Sequence, residues 1–204
     1  MIAFRWELIP MSEKQKRPPE GREENLSGSD AFKVDLYFWL QALVMALVSL
    51  ILIFTFLGRV IGVQGSSMVP TLHDKDMLLL QSIGYEPEQG DIVVLTKSSF
   101  MAQPIVKRVI AVGGQTVDID YAAGTVAVDG VALEEDYINE AMYELPPDYA
   151  THVEVPEGSI FVMGDNRNKS SDSRDPRLGT VDVRYVLGRA RFVLLPVQDF
   201  GVIE

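Results

Sequence analysis

The chain has 204 residues, a formal net charge of −11 and no cysteine, so disulfides, thiolate metal sites and cysteine nucleophiles are excluded together. Hydrophobic residues make up 47%, enough for a packed core. Residues 63–204 carry eleven Lys/Arg against twenty-two Asp/Glu, a balance that opposes a nucleic-acid phosphate backbone.

Residues 1–35 read as a flexible cytoplasmic tail. Pro18, Pro19, Gly21 and Gly28 stand among dense mixed charge, and such a segment buries too little apolar surface to offset its ordering entropy. The composition then changes: the 23 residues 36–58 carry no charge. A helix of that length covers a ~30 Å hydrocarbon core with some tilt. Residues 36–60 are therefore expected to form one transmembrane helix, with Tyr37 and Trp39 at its interfacial end. Lys14, Lys16, Arg17, Arg22 and Lys33 precede the span and Arg59 follows it. This bias puts the N-terminus in the cytoplasm and residues 61–204 outside, in a single-pass protein of the cell membrane with the bilayer as a partner.

After residue 60 no long helical period occurs. Short β-branched or alternating runs at 91–95, 105–112, 116–120, 125–129, 159–163 and 188–195 predict strands, with turns at Gly124 and Asp129-Gly130. Many short strands with frequent turns favour a mainly β, antiparallel domain.

Three segments carry chemistry. In residues 65–72 (Gly-Ser-Ser-Met-Val-Pro-Thr-Leu) a serine follows small residues that allow close approach. It needs a base and an oxyanion hole to attack an amide; alone, the segment also reads as a polar turn. In residues 105–112, strand alternation puts Ile105, Lys107, Val109 and Ala111 on one face and Val106, Arg108, Ile110 and Val112 on the other. A lysine within an apolar row either snorkels to water or, if desolvated, titrates well below ~10.4 and becomes a base. Arginine stays charged, so Lys107 is the candidate base and Arg108 a structural cation. Residues 164–174 (Gly-Asp-Asn-Arg-Asn-Lys-Ser-Ser-Asp-Ser-Arg) are dense in charge-assisted hydrogen-bonding groups. A solvated loop is the plain alternative. A cation site is opposed by the arginines and by spacing unlike an EF-hand. His73 and His152 are too few for a metal centre, so no metal and no cofactor are expected.

In this order, and just behind a membrane span, the segments resemble the type I signal peptidases. The resemblance extends through residues 65–72, 90–94, 107–110, 164–174, Gly179 and 188–190. It implies a Ser/Lys dyad: Ser67, the serine directly before Met68, as nucleophile, and Lys107 as general base. It implies site support from Ser170, Asp172 and Arg174, and a scaffold pair in Asp165 and Arg167. Ser67 supplies a backbone oxyanion donor, and Ser66 is the candidate for the second, because Gly65 lacks the side-chain donor of some members. Val63, Met68, Leu72, Ile105 and Val106 would line shallow pockets for small side chains. The implied fold is a signal-peptidase-like catalytic domain, core 61–112 and 157–204, with a smaller β insertion at 113–156. The implied substrates are the signal peptides of secreted preproteins, opened through an acyl-enzyme beside the export translocase. The alternatives are a non-catalytic membrane-anchored assembly factor or chaperone, which usually lacks one dyad residue; a self-cleaving Ser/Lys repressor, which needs a DNA-binding domain; and a Ser/His protease using His73 or His152.

Overall fold

The computed structural model describes residues 28–56, 59–143 and 148–203. The tail expected over 1–35 lies outside the described residues up to position 27. From Gly28 the chain is helical, and α1 runs Gly28–Phe56 over 29 residues, about 43 Å at the usual helical rise. Its stretch Phe32–Leu52, mean hydropathy 1.9, is long and apolar enough to cross a membrane. The helix thus starts eight residues ahead of position 36, because no proline or other breaker separates the end of the polar segment from the apolar run. At the other end, Arg59 and Val60, read as part of the span, lie in a strand instead. They begin the β-branched Arg-Val-Ile-Gly segment, which pairs with a neighbour rather than continuing a helix.

Twelve strands follow among the described residues: β1 Arg59–Gly62, β2 Met77–Gln81, β3 Ile92–Lys97, β4 Met101–Val112, β5 Thr116–Asp120, β6 Thr125–Val128, β7 Val131–Ala132, β8 His152–Glu154, β9 Ser159–Met163, β10 Val181–Asp182, β11 Val186–Leu195 and β12 Gly201–Val202. The larger sheet has the order β1-β2-β11-β3-β4-β9-β10, with β12 added on β11, and the smaller has the order β7-β6-β5-β8. Every pairing is antiparallel. The six expected strands all form. The others carry weaker local signals: β2 is a Met-Leu-Leu-Leu-Gln run without β-branching, and β7, β10 and β12 have two residues each.

Physical causes are plain in three places. β3 lies between β11 and β4, and its first four residues are buried. Ile92 and Val94 enter one apolar cluster with Met68, Leu72 and Leu80, while Val93 and Leu95 enter a second with Ile105, Val109 and Val162. The β6–β7 hairpin turns on Asp129 and Gly130, both at positive φ, the geometry of a two-residue turn that matches strand twist. A third cluster joins Ile110, Ala111, Phe161 and Met163 of the larger sheet to Val117, Ile119, Val126 and Val128 of the smaller. Ile110 and Ala111 share that cluster because the β4–β9 register shifts between Val109 and Ala111. The expected alternation along β4 therefore stops at Val109, and Ala111 departs from the row that contains Lys107.

Candidate active site

Ser67 sits in the segment between β1 and β2. Gly65 has φ +86°, and its N–H donates to Asp74 Oδ1 at 2.8 Å. The Leu72 N–H donates to the Met68 carbonyl at 2.8 Å, closing a turn. Met68 and Leu72 are both buried in the core, so the turn is pinned by its apolar side chains while Ser67 stays half-buried at its edge. From the other side, Asn166 clamps the same backbone. Its N–H donates to the Ser67 carbonyl at 3.0 Å and its Nδ2 to the Ser66 carbonyl at 3.1 Å. Among the described residues, the Ser67 N–H has no acceptor and remains available to a developing oxyanion. Ser66 is exposed.

Lys107 lies on β4, opposite Val93 of β3, and is only 3% exposed. Its Nζ donates to Ser67 Oγ at 2.7 Å and to the Val106 carbonyl at 2.9 Å. Burial pushes the amine down from 10.5 to about 8, against the attraction of Asp172 and Asp165 and with the help of Arg174. Serine and lysine, 40 residues apart in sequence, are therefore within proton-transfer distance.

The loop after β9 supports both. The Asp172 carboxylate accepts from Arg174 Nε at 2.7 Å and Arg174 Nη2 at 2.8 Å, and from the Gly164 N–H at 3.1 Å. Complete burial works against this carboxylate's charge, but the Arg174 bonds hold it below the usual carboxylate range. Arg174 Nη2 also reaches the Arg167 carbonyl at 2.7 Å. Ser170 Oγ is buried and, among the described residues, makes no hydrogen bond of ordinary geometry, although it lies near enough to the Asp172 carboxylate to help hold its charge. It packs on Gly164: a Cβ built there would lie 2.3 Å from Ser170 Oγ and 2.4 Å from the Ser67 carbonyl oxygen.

Asp165 and Arg167, expected as a scaffold pair, do not bond to each other. Asp165 accepts a two-pronged bond from Arg108, Nε at 2.9 Å and Nη2 at 2.8 Å, and a third from Thr71 Oγ1 at 2.5 Å. Arg167 is turned toward Glu135, Nη1 at 2.9 Å and Nη2 at 2.5 Å. The arginine of β4 is placed to meet Asp165 where β9 ends, so Arg167 is left to a carboxylate from the chain between β7 and β8. Tyr137 lies between the two guanidiniums, its ring centre 4.0 Å from Arg108 Cζ and 5.9 Å from Arg167 Cζ. Glu135 and Tyr137 thus belong to the site's support without having been picked out from sequence, and Asn166, inside the 164–174 segment, gains a clamping role that the sequence does not assign to it. Apart from the local Tyr137–Glu135 bond, their partners lie 29 to 100 residues away. Replacing Glu135 by alanine strands a fully buried guanidinium. The expected result is a loss of about 3 kcal/mol or more in stability, read as a lowered unfolding midpoint.

A cleft of about 210 Å³ opens beside the dyad. Val63, Met68, Ile105 and Val106 line it, together with Gln64, Met101, Gln103, Pro104, Lys169 and Ser171. Leu72 does not line it. It is 0% exposed inside the first cluster, because the turn that presents Ser67 directs Leu72 into the core. No group of three or more His, Cys, Asp or Glu able to hold a metal occurs among the described residues.

Residues 36–195 match the family profile described as signal peptidase, peptidase S26. Among curated proteins, the chain is 37% identical over 177 residues to a signal peptidase I of Bacillus licheniformis, a match covering 82% of this chain and 92% of the other. It is 36% identical over 170 residues to a probable signal peptidase I-1 of Synechocystis, covering 78% and 82%. Among solved structures, a signal peptidase I from Enterococcus faecalis is 32% identical, covering 52% of this chain and 97% of that one, with a TM-score of 0.40.

Proposed function

The chain belongs to the signal peptidase family, peptidase S26, and is a membrane-anchored serine peptidase that removes signal peptides from preproteins, and we propose that Ser67 is its nucleophile and Lys107 its general base. The observation that carries this assignment is the 2.7 Å contact between Ser67 Oγ and a lysine amine that is almost wholly buried.

In the proposed cycle, neutral Lys107 keeps one N–H on the Val106 carbonyl and turns its lone pair to Ser67. The Ser67 proton passes to Nζ as Oγ bonds to the carbonyl carbon at the end of the signal peptide. The negative oxygen is met by the Ser67 N–H, with Ser66 as the second donor. Lys107 then returns the proton to the nitrogen of the mature chain, the C–N bond breaks, and the signal peptide remains as an acyl ester on Ser67. A water gives its proton to Lys107 as it attacks the ester carbon, the C–Oγ bond breaks, Nζ returns the proton to Ser67 Oγ, and the signal peptide leaves with a free carboxylate. Ser170, which does not bond the resting amine, is assigned to steadying it during the cycle; Asp172 with Arg174, and Asp165 with Arg108, hold the loop and the strand in register. Arg167, bound to Glu135, steadies the same loop.

Small side chains ahead of the cut would seat against Val63, Met68, Ile105 and Val106, where larger ones are excluded by packing. The catalytic part comprises 61–204, with 113–156 as its β insertion. The charge bias around α1 assigns the N-terminus to the cytoplasm and the dyad to the opposite side, where signal peptides emerge and where contact with the export translocase would occur.

The test is cleavage of a synthetic signal peptide ending in Ala-x-Ala by the full chain, beside Ser67→Ala and Lys107→Ala. Only the unmodified enzyme is expected to cut. Because the base acts when neutral and titrates near 8, kcat/KM rises about tenfold per pH unit below that value and levels above it. A rate flat from pH 6 to 9 would remove Lys107 from the role of base.

A further inference from the structure

We infer that Lys169 sets a charge preference in the substrate, favouring Asp or Glu over Lys or Arg beside the scissile bond; this rests on the dyad reading above. Among the described residues, two charged ones line the cleft, Lys107 and Lys169, and no carboxylate does. Lys107 is buried and engaged with Ser67, which leaves Lys169 as the exposed charge of the cleft. The chain as a whole carries −11, so a carboxylate-free cleft is a local departure from the surrounding field.

Lys75 and Arg59 are also exposed without an ion pair among the described residues, but neither lines the cleft, and several other cations are neutralised close by. Arg177 binds Asp175 and Arg184 binds Asp182, each two residues away, and Arg189 binds Asp91. Among the described residues the Lys169 side chain has no such partner. Its backbone, by contrast, is fixed. The Lys169 N–H donates to the Asn166 carbonyl at 3.0 Å, in the loop whose Asn166 side chain grips the Ser66 carbonyl. An exposed ammonium lining the cleft, with no ion-pair partner among the described residues, is free to meet the charge of whatever occupies that cleft. A substrate carboxylate there gains an attraction, and a substrate cation meets repulsion. At an exposed site the difference is modest, about fivefold between Asp and Lys, and salt screens it.

The experiment uses the full chain in detergent and a panel of synthetic signal peptides. These carry Asp, Ala or Lys at the position between the two small residues ahead of the cut, or at the first or second position after it. The readout is the Asp-to-Lys ratio of kcat/KM at each position, an internal ratio that does not depend on how much of each variant is correctly folded. The unmodified enzyme is expected to favour Asp about fivefold at one of these positions in low salt. Lys169→Met should bring that ratio near one, and Lys169→Glu should invert it. The preference should shrink at high ionic strength. An equal ratio at every position for the unmodified enzyme and Lys169→Glu overturns the inference while leaving the dyad untouched. If the unmodified enzyme cleaves no peptide at all, the dyad assignment falls and this inference with it.

Discussion

Replacing Lys107 by methionine is expected to lower signal-peptide cleavage about 10⁴-fold while giving a protein that melts higher at pH 7. The first effect follows from removing the one group, among the described residues, that is hydrogen-bonded to the Ser67 hydroxyl and can take its proton. Lys107→Arg should be as inactive, because a guanidinium does not give up its charge. The second effect follows from burial. In the unfolded chain this amine titrates near 10.5 and in the folded protein near 8, so between those values the unfolded state binds more protons and stability rises with pH. Below about 8 the full cost of burying the ammonium is present, on the order of 3 kcal/mol at ~1.4 kcal/mol per tenfold change. Methionine removes that cost and forfeits two hydrogen bonds worth about 1 kcal/mol each. A net gain of about 1 kcal/mol is expected at pH 7, fading as the pH approaches 10.5. Melting curves at pH 7 and 10 measure it, and cleavage by the methionine variant within tenfold of the parent would end the dyad assignment.

Gly164→Ala carries the second large effect. Gly164 is not among the glycines at positive φ, so the backbone accepts alanine and the obstacle is space. The new methyl would sit 2.3 Å from Ser170 Oγ, 2.4 Å from the Ser67 carbonyl oxygen and 2.6 Å from Ser170 Cβ. The serine carbonyl is held by the Asn166 N–H, and moving it moves the nucleophile away from Lys107. A displacement near 1 Å at a reacting group costs about 10²-fold in rate, and overpacking costs about 1–3 kcal/mol in stability. Gly65→Ala is the contrast: its Cβ meets nothing within 4 Å but must adopt φ +86°. It should lose about 1 kcal/mol with no collision at the nucleophile. A Gly164→Ala enzyme with unchanged kcat would show that the loop yields without disturbing the dyad.

The features legible in sequence were those with a local physical signature. A run of uncharged residues marked α1. Alternation marked β5 and β6, and Asp129-Gly130 marked their neighbouring hairpin. Ser67 and Lys107 were picked out by motif, and the fold brings them together. What escaped depends on distant partners. Asp165 has an arginine two residues along the chain, yet it takes Arg108, 57 residues away, because the sheet sets β4 beside the end of β9. The leucines of β2 favour a helix locally as readily as a strand and are decided by pairing with β1 and β11. The register shift after Val109 has no mark in the residues that make it. Leu72 was assigned to a pocket by proximity to Ser67, whereas the turn directs it inward.

The Glu135–Arg167 clasp joins the chain between the two outer strands of the smaller sheet to the loop that steadies the nucleophile. That sheet is therefore more than an ornament that a protein engineer can delete. A minimal protease made by excising it would leave a loose end where the clasp had been, and any pruning scheme has to supply a new carboxylate for that guanidinium or retire the guanidinium along with it.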